Sequence, residues 1–201
     1  MASPLVLKSS PAPDPAGVVL DLTPARAGWT YVSFRVWRLA ENQRVHDRAT
    51  GEELGLVVLS GRVDIKSNAG EWLEFGGRTG VFAGKPHALY LPPGTEFELT
   101  ARGPCEVARC GAKAERGVAA YAITPEAIKE EVRGEGAAQR HIRHLLEVDR
   151  PAEHLLLVEV ITPAGHWSSY PPHKHDTDDP PHESRLEETY YHRLQPERGF
   201  G

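Results

Sequence analysis

Glycine and proline interrupt this chain too often for long helices to form. The 201 residues include 19 Gly and 17 Pro, and the apolar runs between them are of strand length. Val18–Leu22 can open the fold, and residues 31–39 alternate for part of their length, as a half-buried strand does. Residues 54–65 predict two strands broken near Ser60-Gly61, and Gly76-Gly77-Arg78 predicts a turn. Ala88–Leu91 predicts a short strand, Pro92-Pro93-Gly94-Thr95 another turn, and Glu96–Ala101 a cleanly alternating strand. This spacing suits an antiparallel barrel or sandwich. One helix is expected: Thr124 can cap it, Pro125 fits its first position, it runs over 127–133, and Gly134 can end it. A second strand series then begins at 155–162. The expected organisation is a flexible arm over 1–17, an N-terminal β domain over 18–120, a helical linker over 121–150, and the first part of a second β domain over 151–201.

Charge and composition exclude several classes. Lys and Arg number 23 against 28 Asp and Glu, a net charge of -5, so the electrostatic footprint of a nucleic-acid binder is missing. Apolar runs such as Leu155-Leu156-Leu157-Val158 are far shorter than a membrane span. Pro4, Pro11, Pro13 and Pro15 suggest a loose arm rather than a secretory leader. Cys105 and Cys110 lack CxxC spacing, and a strand would set them on opposite faces, so buried free thiols are expected. A cytoplasmic protein fits best.

The chemistry concentrates in Tyr170-Pro171-Pro172-His173-Lys174-His175-Asp176, followed by Leu186-Glu187-Glu188-Thr189-Tyr190-Tyr191-His192. In an extended strand His173 and His175 share a face. Two neutral imidazoles plus one carboxylate suit a borderline divalent transition metal and leave coordination positions open. If a neighbouring strand supplies Glu188, the set is that of a catalytic metal site. Glu188, Tyr190 and His192 share one strand face, whereas Glu187 shares the other with Thr189 and Tyr191.

Gly61-Arg62-Val63 after an apolar strand, and Tyr90-Leu91-Pro92-Pro93-Gly94-Thr95, resemble the glycine and proline-glycine turns of a cupin barrel. Cupins carry two histidines and a glutamate in a first motif, and a further histidine after a Pro-x-Gly turn. Only Glu52, Glu53 and His46 lie near the first motif here, and Glu96-Phe97 occupies the place of a histidine. The resemblance therefore implies an N-terminal cupin that has lost its metal, with His46 and His87 as surface or core residues.

The run from Val158 through Pro163-Ala164-Gly165-His166-Trp167-Ser168-Ser169 to Asp176, with Leu186 to His192, closely resembles the 5-deoxy-glucuronate isomerase family of myo-inositol catabolism. That family is related to 5-keto-4-deoxyuronate isomerase, and the N-terminal turns fit it as well. The resemblance implies an all-β, two-domain cupin of double-stranded β-helix (jelly-roll) barrels with a linking helix. It implies a metal-dependent aldose–ketose isomerase interconverting 5-deoxy-D-glucuronate and 2-deoxy-5-keto-D-gluconate. Its ligand motif falls on His173, His175 and Glu188, holding a divalent ion of Zn, Mn or Fe. A fourth histidine is implied after a second Pro-x-Gly turn, and Gly199-Phe200-Gly201 is reached without one. The expected C-terminal cupin is thus incomplete with an open sheet edge: either the sequence is a fragment, or a partner, such as a second copy in a homo-oligomer, supplies the missing edge.

Isomerisation also needs a proton shuttle within hydrogen-bond reach, and Tyr190 and His192 are the candidates on the Glu188 face. Arg185 and Arg193 flank the motif and read as surface arginines, Lys174 as outward-facing. The acidic stretch 176–184 reads as a solvated loop, with Asp176 supporting the histidines. Trp167, Ser168, Ser169 and Tyr170 could line a sugar pocket. Two other readings stand: a non-haem iron cupin dioxygenase, which the same ligand set suits, and a non-catalytic sugar-acid-binding cupin. The expected partner is a small deoxyuronate, with no nucleic acid and no membrane.

Overall fold

The computed structural model describes residues 6–147, 149–169 and 173–195. The chain opens with β1 (Val18–Leu22), a single helical turn α1 (Pro24–Ala27), β2 (Val32–Leu39) and β3 (Arg44–Arg48). Then come β4 (Glu52–Ser60), β5 (Arg62–Ser67), β6 (Gly70–Gly76), β7 (Ala88–Leu91), β8 (Glu96–Ala101) and β9 (Cys105–Lys113). Last are β10 (Tyr121–Ile123), β11 (Lys129–Arg133), β12 (Arg140–Leu146) and β13 (Leu157–Ile161). Thr23 caps α1 through its hydroxyl, and Gly28 ends it at φ 73°.

The strands pair antiparallel in three sheets: β1-β2-β9-β4-β7-β10, β3-β8-β5-β6 and β11-β12-β13. The first two sheets face each other and enclose a core of Trp37, Leu54, Leu56, Val63, Ile65, Leu89, Phe97, Leu99 and Val107. A second core forms on the opposite face of the six-stranded sheet. There Phe34, Val36, Val57, Tyr90, Ala108 and Cys110 meet Ile123, Ile128, Leu145, Leu146 and Leu155 from later in the chain. The six-stranded sheet is therefore covered on both sides. That explains why residues 53–59 of β4 and 105–112 of β9 are all buried, and why β4 reads as one continuous apolar run. Gly55 makes the cover possible, because a Cβ there would lie 3.0 Å from Leu157 Cδ2. Gly61 turns β4 into β5 at φ 77°, a conformation glycine adopts without strain.

Cys105 belongs to the first core and Cys110 to the second, on opposite faces of β9. Both are free, and burial pushes their thiols up to about 11 and about 12. Among the described residues, no helix is long and apolar enough to cross a membrane.

The helix expected over 127–133, and with it the helical linker of 121–150, is corrected by the structure. Pro125–Ala127 form one 3-10 turn, Ile128 is extended, and Lys129–Arg133 pair with β12 from Lys129↔His144 to Arg133↔Arg140. Thr124 makes no side-chain cap bond. A helix this short is marginal alone, and the competing arrangement buries Ile128 to 2% and satisfies the backbone of β11 in a sheet. β10 meanwhile pairs with β7, so the stretch is divided between two sheets.

Candidate metal centre

Leaving β13, the chain passes through Trp167, whose backbone N–H donates to the Ala137 carbonyl. Two later passes of the chain, residues 173–177 and 184–193, carry the candidate residues. Neither stretch is a strand, which corrects the expectation of a strand for each. No sheet neighbour among the described residues pairs with them, and a strand needs a ladder partner to satisfy its backbone. One backbone bond ties the two passes, Leu186 N–H to the His175 carbonyl at 3.3 Å.

The expected ligand set nevertheless converges. His173, His175 and Glu188 each offer one donor atom, and these atoms all lie within 4.8 Å of one another. The two imidazole rings meet edge to face at 5.1 Å and 81°. His175 Nδ1 lies 3.0 Å from the Ser184 carbonyl oxygen. A carbonyl only accepts, so Nδ1 carries the proton and Nε2 keeps its lone pair for a ligand. His173 Nδ1 is hydrogen-bonded to Ser169 Oγ at 2.7 Å. The donor chemistry and the fixed tautomer of His175 fit a divalent transition ion.

Beside Glu188, the Tyr190 hydroxyl donates to Oε1 at 2.6 Å. Burial and this bond push the Tyr190 hydroxyl well above its ordinary range, so it keeps its proton. The His192 ring stacks on Tyr190 at 5.9 Å and 13°.

Glu187 turns the other way. Its Oε1 accepts from Thr30 N–H at 2.7 Å, and its Oε2 accepts from Tyr31 N–H at 2.7 Å and Val32 N–H at 2.9 Å. Burial alone would raise this carboxyl, but the three amides outweigh it and hold it below the usual carboxylate range. Tyr191 packs on Phe34 at 5.6 Å, and Arg193 Nη1 donates to Glu106 Oε2 at 2.6 Å. The alternation expected for a strand therefore survives without one: 187, 191 and 193 grip the six-stranded sheet, while 188 faces the histidines, with 190 bonded to 188 and 192 stacked on 190.

Other expected residues fall elsewhere. Asp176 does not reach the histidines; its carboxylate lies 3.9 Å from Lys174 Nζ. Lys174 points outward to Glu183. Arg185 is exposed, and Arg193 pairs with nearly buried Glu106 instead of lying free on the surface. Trp167 is 62% exposed, Ser169 is the partner of His173, and Tyr170 lies outside the described residues. His46 is an exposed neighbour of Glu98 at 3.0 Å, and His87 packs edge-on against Phe75. Glu52 binds Arg109, and Glu53 is buried. The mouth of the first barrel holds a cavity of about 490 Å³ lined by Asp21, Ser33, Arg35, Asp47, Glu52 and Arg109. Within this lining Arg35 pairs with Asp21, and Arg109 with Asp47 and Glu52. None of the three expected ligands lines it. The supports from Ser169 and the Ser184 carbonyl, and the grip of Glu187, had no counterpart in the sequence reading. Only the placement of Glu187 on the face opposite Glu188 hinted at one.

Comparison with known proteins agrees with this architecture. The chain is 42% identical over 192 residues to the 5-deoxy-glucuronate isomerase of Geobacillus kaustophilus (strain HTA426), covering 95% of this chain and 70% of that protein. It is 37% identical over 185 residues to the 5-deoxy-glucuronate isomerase of Bacillus subtilis (strain 168), covering 91% of this chain and 68% of that protein. The crystal structure of an IolB-like protein from Salmonella typhimurium LT2 superposes with a TM-score of 0.82 at 32% identity. That superposition covers 89% of this chain and 68% of the other, which accords with the cupin-type β fold. With residues 5–201 also matching the family as a whole, the chain belongs to the KduI/IolB family.

Proposed function

We propose that the chain is an aldose–ketose isomerase interconverting 5-deoxy-D-glucuronate and 2-deoxy-5-keto-D-gluconate in myo-inositol catabolism. The observation that carries the reading is the convergence of His173, His175 and Glu188 with a Tyr190–His192 pair beside them. Relatives named 5-deoxy-glucuronate isomerase at 37–42% identity support it.

His173, His175 and Glu188 would hold a divalent ion, Zn, Mn or Fe. What the ion supplies when bound is Lewis acidity toward the substrate's carbonyl and adjacent hydroxyl oxygens. The remaining work is proton transfer between neighbouring carbons. His192 offers an imidazole nitrogen as base, and Tyr190 is the acid candidate, whose one O–H proton, donated to Glu188, would have to turn from that carboxylate to the substrate. Ser184 and Ser169 orient the two imidazoles. The reading places the reaction in the cytoplasm, in keeping with two free, buried cysteines.

The test pairs metal analysis with an isomerase assay on 5-deoxy-glucuronate, for wild type and His175→Ala. The variant is expected to lose bound metal and at least 100-fold in rate (on the order of the effect of disturbing a metal's surroundings). Unchanged metal content and rate would sink the site. The same donor set suits a non-haem iron dioxygenase. Isomerisation without oxygen uptake is expected, and oxygen consumption would favour the dioxygenase instead.

A further inference from the structure

We infer that Glu187 is a positioning residue: by anchoring its own carboxylate on three backbone amides of the N-terminal barrel, it sets where Glu188 sits against His173 and His175. The inference rests on the metal reading above. A ligand carried on a sheet strand is located by the ladder hydrogen bonds on either side of it. Glu188 lies in a stretch outside the described strands, so its position must be set in another way.

The contacts of Glu187 supply that constraint. Three consecutive N–H groups, of Thr30, Tyr31 and Val32, close on its two oxygens at 2.7, 2.7 and 2.9 Å. Amides converging on one carboxylate form an anion-binding concavity, and bonds to an ionised acceptor are stronger than neutral ones. Val32 is already the first residue of β2, whose register with β9 is continuous from Val32↔Ala112 to Leu39↔Cys105. The cradle therefore runs directly into a continuously paired strand. Adjacent Cα atoms are about 3.8 Å apart, so fixing Glu187 leaves Glu188 little freedom except to point to the opposite side. Tyr191 and Arg193 grip the same sheet further along, at Phe34 and Glu106, and they locate Tyr190 and His192 more directly than Glu188. Glu187 is the anchor next to the candidate ligand.

A residue that only docks the segment would change stability; a positioning residue changes metal affinity through Glu188. Zinc, manganese and ferrous ion are titrated in competition with a chelator into wild type, Glu187→Ala, Glu187→Gln, Glu188→Ala, and each Glu187 variant combined with Glu188→Ala. Thermal unfolding of each metal-free form is measured in parallel. Glu187→Ala is expected to weaken binding about 10–100-fold, as loss of a ligand's supporting partner does. Glu187→Gln is expected to fall between, since its amide NH2 faces donors. In the Glu188→Ala background either change is expected to cost little more, the non-additivity of residues acting as one unit. Wild-type affinity in both Glu187 variants, or an equal loss with and without Glu188, would overturn the inference while leaving the metal site standing. If wild type binds none of the three ions, or His175→Ala binds as tightly as wild type, the metal reading falls and this inference with it. Should Glu187→Ala fail to fold, the Glu187→Gln pair completes the cycle.

Discussion

His173 and His175 both gain an orienting partner from a serine, one through a side chain and one through a backbone carbonyl. The histidines themselves were legible because a His-x-His is a residue pattern. Their supports were not, because any residue can offer a carbonyl, and Ser169 carries no mark distinguishing it from a pocket-lining serine. Asp176 was the expected support because it adjoins His175; adjacency placed it facing Lys174 instead. The true organiser of that loop is Glu183, whose Oε1 accepts from the Asp176 and Thr177 amides at 2.7 and 2.9 Å. The Thr177 amide foremost, with Lys174 and the Asp176 amide, outweighs desolvation and holds this carboxyl at about 2 against an ordinary 4.5. A depressed folded-state value stabilises the folded loop above pH 4.5, and that contribution is lost as pH falls from 4.5 toward 2. An NMR titration is expected to give Glu183 a midpoint near the lower value, with Asp176 and Thr177 amide exchange accelerating there. A midpoint near 4.5 would contradict the loop geometry.

Strands whose residues alternate, such as Glu96–Ala101, were recognisable because one face is buried and period two shows it. β4 was found through its apolar run and the Ser60-Gly61 break. β9 gives no such signal, because burial on both faces erases alternation and its interior carries Glu106 and Arg109. The segment expected as a helix over 127–133 failed for a related reason. Capping signals are local, and the pairing of β11 with β12 is decided by a partner that lies further along the chain. Gly55 tests the double cover of β4. Gly55→Val would drive side-chain atoms into Leu157, Leu155 and Leu146, and such overpacking is expected to cost about 1–3 kcal/mol in urea unfolding. A neutral substitution would mean that the C-terminal residues do not lie against that face.

At the scale of the whole molecule, the two halves are joined by polar anchors as well as by the second core. Buried Glu53 accepts the backbone N–H groups of Glu153, His154 and Leu155, at 2.6–3.1 Å, and the Tyr90 hydroxyl at 2.8 Å. Arg78, 3% exposed in its side chain, binds Glu159 at 2.7 Å, which also takes Arg143 at 2.8 Å. Glu53→Ala would strand several donors at once and is expected to cost about 3 kcal/mol in chemical denaturation, with Glu53→Gln costing less. Equal stability of Glu53→Ala and wild type would contradict the anchor.

The sequence by itself determined the all-β class, the turns, the opposite faces of the two cysteines and of Glu187 and Glu188, and the His-x-His pair of the candidate metal centre, to which the family resemblance added Glu188. Each follows from properties local to a few residues: backbone freedom, period-two alternation and ligand chemistry. Only the tertiary structure decided that 129–133 is a strand, that Glu53 and Glu187 are anchors, and that 186–193 lies along β2 and β9 without being a strand itself. Those outcomes depend on which distant amides come within about 3 Å, a typical hydrogen-bond distance. Backbone donors carry no signature in the sequence that would announce them.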